Sequence, residues 1–213
     1  MKLTSTCFAD GGAIPGECAF AVPDRETRIA LSSNRNPDLQ WSGLPVGTRS
    51  LALICHDPDV PTVLDDFNQE GRVIAADIPR MSLYHWALVD VRPDGGGIAK
   101  GQYAHGVVAR GKPGPETSSG ARQGLNGYTD WFRDDPNMAG NYFGYDGPCP
   151  PWNDALVHRY VFTLYALDVE RCPVSGAFTA ADVLKAIDGH VLAKATLTGR
   201  YTLSPDVAIG ACG

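Results

Sequence analysis

Three apolar runs, far apart in the chain, do most to limit what it can fold into: SLALIC at residues 50–55, HWALVDV at 85–91 and YVFTLYAL at 160–167. Each is nearly continuous in apolar, β-branched and aromatic residues and is bounded by turn formers, the pattern of strands covered on both faces. They predict the middle of one large sheet. TLTGRYTL at 196–203 alternates apolar and polar residues as a half-exposed strand does, and 2–8 and 28–32 carry weaker strand patterns. One strong helix is predicted, over 180–193. Thr179 is its N-cap, Asp182 takes the third place of a capping box, and Val183, Leu184, Ile187, Val191 and Leu192 form a helical stripe. Gly189 interrupts that stripe and predicts a bend or a split. The chain therefore reads as mainly β.

A chain of 213 residues suits one domain, 1–213, and its 24 Gly and 16 Pro fit a β-rich chain with many turns. A net charge of -6, with no cluster of Lys and Arg, argues against a nucleic-acid backbone as partner and against adsorption to anionic membrane surfaces. The N-terminal MKLTSTCFADGG lacks the continuous apolar core of a secretion signal, and no stretch is long and apolar enough to span a bilayer. Cys7, Cys18, Cys55, Cys149, Cys172 and Cys212 are scattered without a CxxC pair. They read as reduced thiols of a cytoplasmic protein, although the even count leaves bridges open.

The chemistry gathers where the apolar runs stop. Asp57-Pro58-Asp59-Val60-Pro61 follows the first, Tyr84-His85-Trp86 opens the second, and GYDGPCPP at 144–151 leads into His158-Arg159-Tyr160 at the third. Prolines stiffen the aspartate segment into what reads as a turn leaving a buried strand. A protonated imidazole offers two donors and a positive charge, both of which suit phosphate oxygens. Gly147 lets backbone approach a ligand closely, and Arg159 either reaches the ligand or pairs with Asp57 or Asp59. Each feature alone has a plainer reading as a turn, a structural histidine or a rigid loop, but two similarly placed histidines favour a small-anion site over one for a large apolar body. Two segments without periodicity, 62–83 and 95–145, are longer than ordinary loops and are expected to crowd the rim of that site.

Taken together, DPDVP at 57–61, Tyr84-His85-Trp86, and Gly147-Pro148 with His158-Arg159-Tyr160 resemble the signatures of the phosphatidylethanolamine-binding proteins, also called Raf kinase inhibitor-like proteins. The resemblance extends over about residues 31–203, including NPDLQW at 36–41, and its ending is similar to the bacterial and archaeal branch, without the longer C-terminal helix of animal members. It implies a large central β-sheet packed against a smaller sheet, few peripheral helices, and an anion pocket at one end. It also implies that Asp57, His85 and His158 line the pocket, that Pro148 and Tyr160 shape it, and that Asp59, Trp86, Gly147 and Arg159 support it.

The function expected is non-catalytic capture of phosphate, phosphoethanolamine or a similar phospholipid headgroup, with no cofactor and no resident metal. Two rivals stay open. Asp57, His85 and His158 could serve a metal-dependent hydrolase, although there is no nucleophile elbow and no HExxH motif. The loops could instead inhibit a kinase or protease partner, and a homodimer is compatible with either.

Overall fold

The computed structural model describes residues 1–210. Twelve elements follow in order: β1 (Lys2–Thr4), β2 (Ala21–Asp24), β3 (Arg28–Leu31), β4 (Leu39–Ser42), β5 (Ser50–Pro61), β6 (Arg80–Val91), β7 (Gly97–Ile98), β8 (Arg122–Gln123), α1 (Tyr128–Trp131), β9 (His158–Leu167), α2 (Ala180–Ala186) and β10 (Val191–Tyr201). The large sheet runs β10-β9-β5-β6-β8, all antiparallel, so the three apolar runs are its interior strands. A three-stranded sheet, β1-β4-β7, and the β2-β3 hairpin complete the β-structure.

Strand alternation explains why the central runs have no polar face. On one side Leu51, Leu53, Cys55, Trp86, Leu88, Phe162 and Leu164 join Leu3, Leu39, Trp41 and Ile98 of the smaller sheet in the main core. On the other side Ala52, Ile54, Ala87, Val89 and Leu167 pack with Phe178, Val183 and Ile187 around α2. Both faces are covered, and water never selects for polar residues there. Trp86 is fully buried, and its indole N–H donates to Gln123 Oε1 at 3.0 Å. It packs the main core and does not line the cavity at Asp57, His85 and His158.

Three expectations change. The prolines of DPDVP do not end β5, because the strand runs on to Pro61. Pairing of β5 with β9 stops at His56, so Pro58 and Pro61 sit where β5 has a neighbour on one side only, and a register shift lies between Asp57 and Val60. Missing amide donors are tolerated at such a half-edge. Likewise β6 starts at Arg80, which places His85 inside the strand. Finally, the predicted helix over 180–193 ends early. α2 is capped as expected, with the Thr179 side chain accepting from the Asp182 amide and Asp182 accepting in return, but Ile187 is its C-cap. Gly189 has φ +79°, which turns the chain, and Val191 and Leu192 belong to β10 rather than to a helical stripe.

Thr179→Ala removes the reciprocal cap and is expected to lower stability by about 1 kcal/mol in urea unfolding, with the slope of the transition unchanged. A loss below about 0.3 kcal/mol would mean that packing against β6 alone holds α2.

Candidate functional site

A β-bulge aims His85. Cys55 pairs with Trp86 and the next residue, His56, pairs with Tyr84, so His85 is the extra residue on β6. Its ring therefore turns to the main-core side, edge-on to Tyr128 at 5.5 Å and to Tyr160 at 5.1 Å. His85 Nδ1 donates to the Asp146 carbonyl at 2.8 Å, which fixes the tautomer and leaves Nε2 on the opposite side of the ring. Burial lowers the pKa of His85 below its ordinary value, against the opposing pull of Asp57 and the Asp146 carbonyl.

His158, at the start of β9, sits between two buried carboxylates. Its Nδ1 meets Asp57 Oδ2 at 2.7 Å and its Nε2 meets Asp154 Oδ2 at 3.1 Å. Burial alone would discharge the ring. Hydrogen bonds and charge from Asp154 and Asp57 outweigh that penalty and raise its pKa to about 9. Asp154 is braced in turn by Arg80, at 2.6 Å and 3.1 Å, and its pKa is lowered despite burial by His158 and Arg80. Asp57 Oδ1 accepts the Asp59 amide at 2.8 Å. Arg159 pairs with Asp59, Nη2 to Oδ1 at 2.7 Å and Nε to Oδ2 at 2.9 Å, so it braces the last residues of β5 and does not line the cavity.

A second buried network holds the other wall. Asp146 accepts from Asn34 Nδ2 at 2.7 Å, Lys112 Nζ at 2.6 Å and Asn126 Nδ2 at 2.8 Å, while Gly147 N–H donates to Asn34 Oδ1 at 2.8 Å. These bonds position the carbonyl that orients His85. A Cβ on Gly147 would lie 2.2 Å from the Cys18 carbonyl oxygen, so the glycine there serves backbone-to-backbone approach and not approach to a ligand. Pro148 is also absent from the cavity wall, its carbonyl accepting the Phe20 amide, and Cys149, Pro150 and Pro151 form that wall instead.

These groups meet in one cavity of about 270 Å³. Asp57, His85, His158 and Tyr160 line its polar floor. Around them stands an apolar collar that includes Phe20, Leu31, Phe67, Tyr128, Trp131 and Phe132. Phe20, Tyr128 and Phe132 stack in sequence at 4.7 Å and 5.3 Å, and Phe67 meets Trp131 at 5.3 Å. Both long loops thus reach the rim, 62–83 through Phe67 and 95–145 through Tyr128, Trp131 and Phe132. The first is tied down by Asn153, whose amide donates to the Asp66 and Arg72 carbonyls and whose Oδ1 accepts the Asn68 amide. The collar makes the site less purely polar than the sequence suggests. Asp154, Asn34 and Lys112 lie outside the motifs singled out in the sequence, and Asp146, although inside GYDGPCPP, has no site role legible there.

Among the described residues, three buried side-chain nitrogen or oxygen atoms lack a hydrogen-bond partner: His85 Nε2, the Tyr160 hydroxyl and Arg80 Nε. The first two belong to the cavity floor. Tyr160 lies in the field of Asp57 but makes no hydrogen bond of ordinary geometry with it, and burial, then the Asp57 charge, hold its pKa above the usual value. The cavity thiol, Cys149, is pushed up to about 12 by burial. The five described cysteines are free thiols, and Cys212 lies outside the described residues. Among the described residues no helix is long and apolar enough to cross a membrane.

Comparison with known proteins agrees with this architecture. The family model described as phosphatidylethanolamine-binding protein matches residues 4–202. A UPF0098 protein of Methanothermobacter thermautotrophicus is 33% identical over 201 residues, spanning 94% of this chain and 98% of that protein. The UPF0098 protein YbhB of Escherichia coli is 29% identical, over 95% of this chain and 100% of its own. The crystal structure of E. coli YbcL, described as a new member of the mammalian PEBP family, superposes with a TM-score of 0.66 at 25% identity, covering 94% of this chain and 97% of that one. The chain belongs to the phosphatidylethanolamine-binding protein family.

The clamp on His158 has a measurable pH signature. A folded-state pKa of about 9 lies above the unfolded value of about 6.5, so the stability it confers is complete below about pH 6.5 and is lost as pH rises through about 9. That loss amounts to roughly 3 kcal/mol at 1.36 kcal/mol per unit. His158→Gln is expected to unfold more easily at pH 6.5 by about 3 to 5 kcal/mol, because it leaves two buried carboxylates short of a cation, and to flatten the decline between pH 6.5 and 9. An unaltered slope in the variant would assign the decline to other groups.

Proposed function

We propose that this protein binds, without turning it over, a small ligand with a phosphate-like anionic head and an apolar remainder. The head sits at His85 and Tyr160, and the remainder lies against the aromatic collar. Phosphate, phosphoethanolamine and phospholipid headgroups belong to that class. The observation that carries the reading is the pair of orphaned buried atoms, His85 Nε2 and the Tyr160 hydroxyl, in residues of the polar floor of a cavity whose walls are largely apolar. Buried polar groups without partners are costly and rare, and an oxyanion that carries an O–H supplies an acceptor for the Tyr160 hydroxyl and a donor for His85 Nε2, whose proton sits on Nδ1.

His158 plays a different part from the one its sequence position suggests. Both of its nitrogens face carboxylates, so it neutralises the charge on the floor without donating to the ligand. For the same reason Asp57 and His158 could hold a metal only after their mutual hydrogen bond was broken, which disfavours the hydrolase reading. Cys149, with its thiol held protonated at neutral pH by burial, is no ready nucleophile.

Calorimetric titration with inorganic phosphate and phosphoethanolamine tests the proposal. His85→Ala and Tyr160→Phe are each expected to weaken binding by about 1.5 to 3 kcal/mol. Because burial holds the pKa of His85 below about 6.5, its share of the affinity grows as pH falls below that value. Metal-supplemented protein incubated with phosphomonoesters, phosphodiesters and carboxyl esters is expected to release no more product than the His85→Ala variant. No heat with either ligand at any pH, or turnover that the variant abolishes, overturns the reading.

A further inference from the structure

The floor shows which oxyanion it fits. His85 donates Nδ1–H to the Asp146 carbonyl, so in the neutral ring Nε2 is a bare acceptor. Asp57, 2% exposed, adds a carboxylate beside it. The floor therefore presents one hydroxyl and one unshared imidazole lone pair, with the Asp57 carboxylate already paired to His158, and that set needs a donor as well as an acceptor from its ligand. A phosphate monoester monoanion offers both, since it has P–O⁻ oxygens and one P–OH. A phosphodiester or a sulfate ester carries the same single charge with no O–H.

We propose that the cavity floor selects phosphomonoesters, and other oxyanions that bring an O–H, over phosphodiesters and sulfate esters of equal charge. This rests on the anion-binding reading above and narrows it. The ligand's hydroxyl donates to His85 Nε2, while the Tyr160 hydroxyl donates to a second ligand oxygen. A ligand without that proton can reach the same hydrogen-bond count only if His85 itself becomes charged. Every group facing the ring bears on that step: Asp57 from β5 favours it, His158 from β9 opposes it, and Tyr128 and Tyr160 bury the ring from α1 and β9. The Asp146 carboxylate is turned away onto Asn34, Lys112 and Asn126 and is largely neutralised by Lys112. The net result disfavours the charged ring, in agreement with its lowered pKa.

Methyl phosphate, dimethyl phosphate, methyl sulfate and ethanolamine make a direct test by calorimetry at about pH 5, a unit below the second ionisation of a phosphate monoester at about 6, where methyl phosphate is mostly the monoanion that keeps its P–OH. Methyl phosphate is expected to bind about tenfold or more tighter than the two proton-free monoanions, because a site built to accept from an O–H rejects analogues lacking it. Its advantage is expected to shrink as pH rises well above about 6 and the P–OH is lost. His85→Ala is expected to bring the three anions to similar affinity, and the ligand series on the unaltered protein decides the matter even where that variant folds poorly. Equal affinity for the three anions overturns the selection and leaves anion binding standing. Binding of ethanolamine alone in preference to any anion also overturns it, since the floor then reads a cation. Silence from all four removes the anion-binding reading and the selection with it.

Discussion

A buried charge must be paired, and here one such charge organises the end of the fold that holds the cavity. His158 is almost fully buried, yet carries a proton over most of the pH range because Asp57 and Asp154 hold it from either side. Arg80 neutralises the outer carboxylate. The result is a row of alternating charges, Arg80, Asp154, His158 and Asp57, that joins β6, the segment before β9, β9 itself and β5. Removing one member strands the rest in a low-dielectric interior, where an unpaired charge costs several kcal/mol. The row has no net charge, so the floor can be rigid without strongly attracting or repelling every ion.

The sequence made the sheet legible and the site only partly so. Runs such as SLALIC and YVFTLYAL have to be interior strands, because alternation sends their residues to two different cores that are both dry. The same logic is blind to a bulge. Nothing in Tyr84-His85-Trp86 says that His85 and Trp86 share a side, yet that one-residue shift separates a histidine in a cavity from one against α2. The helix over 180–193 failed at Gly189 for a related reason, since Val191 and Leu192 satisfy helical and strand spacing equally over so short a stretch.

Of the expected site residues, Asp57, His85, His158 and Tyr160 share one cavity, whereas Pro148, Gly147 and Trp86 do not touch it. Proline and glycine motifs mark where backbone is constrained, and a sequence does not say whether a ligand or another backbone segment imposes the constraint; for Gly147 it is Cys18 and Ala19. Asn34, which acts through a buried polar network, was invisible because neither periodicity nor motif identifies a hydrogen-bonding partner over a hundred positions away. The aromatic collar was hidden for the opposite reason: Tyr128 and Phe132 lie in a segment whose irregular pattern conceals what its side chains face.

Asn153 and Asp154 are neighbours with unlike duties. The first fastens the loop that brings Phe67 and Asn68 to the cavity mouth, and the second completes the clamp beneath its floor. The loop beside the cavity and the clamp beneath its floor therefore share one short piece of backbone, and a substitution there disturbs both at once. Tyr128, Trp131 and Phe132 hang from a different segment with separate anchors. The aromatic wall and the row of charges beneath the floor thus rest on different stretches of chain, so the shape of the one can change without unpairing the other.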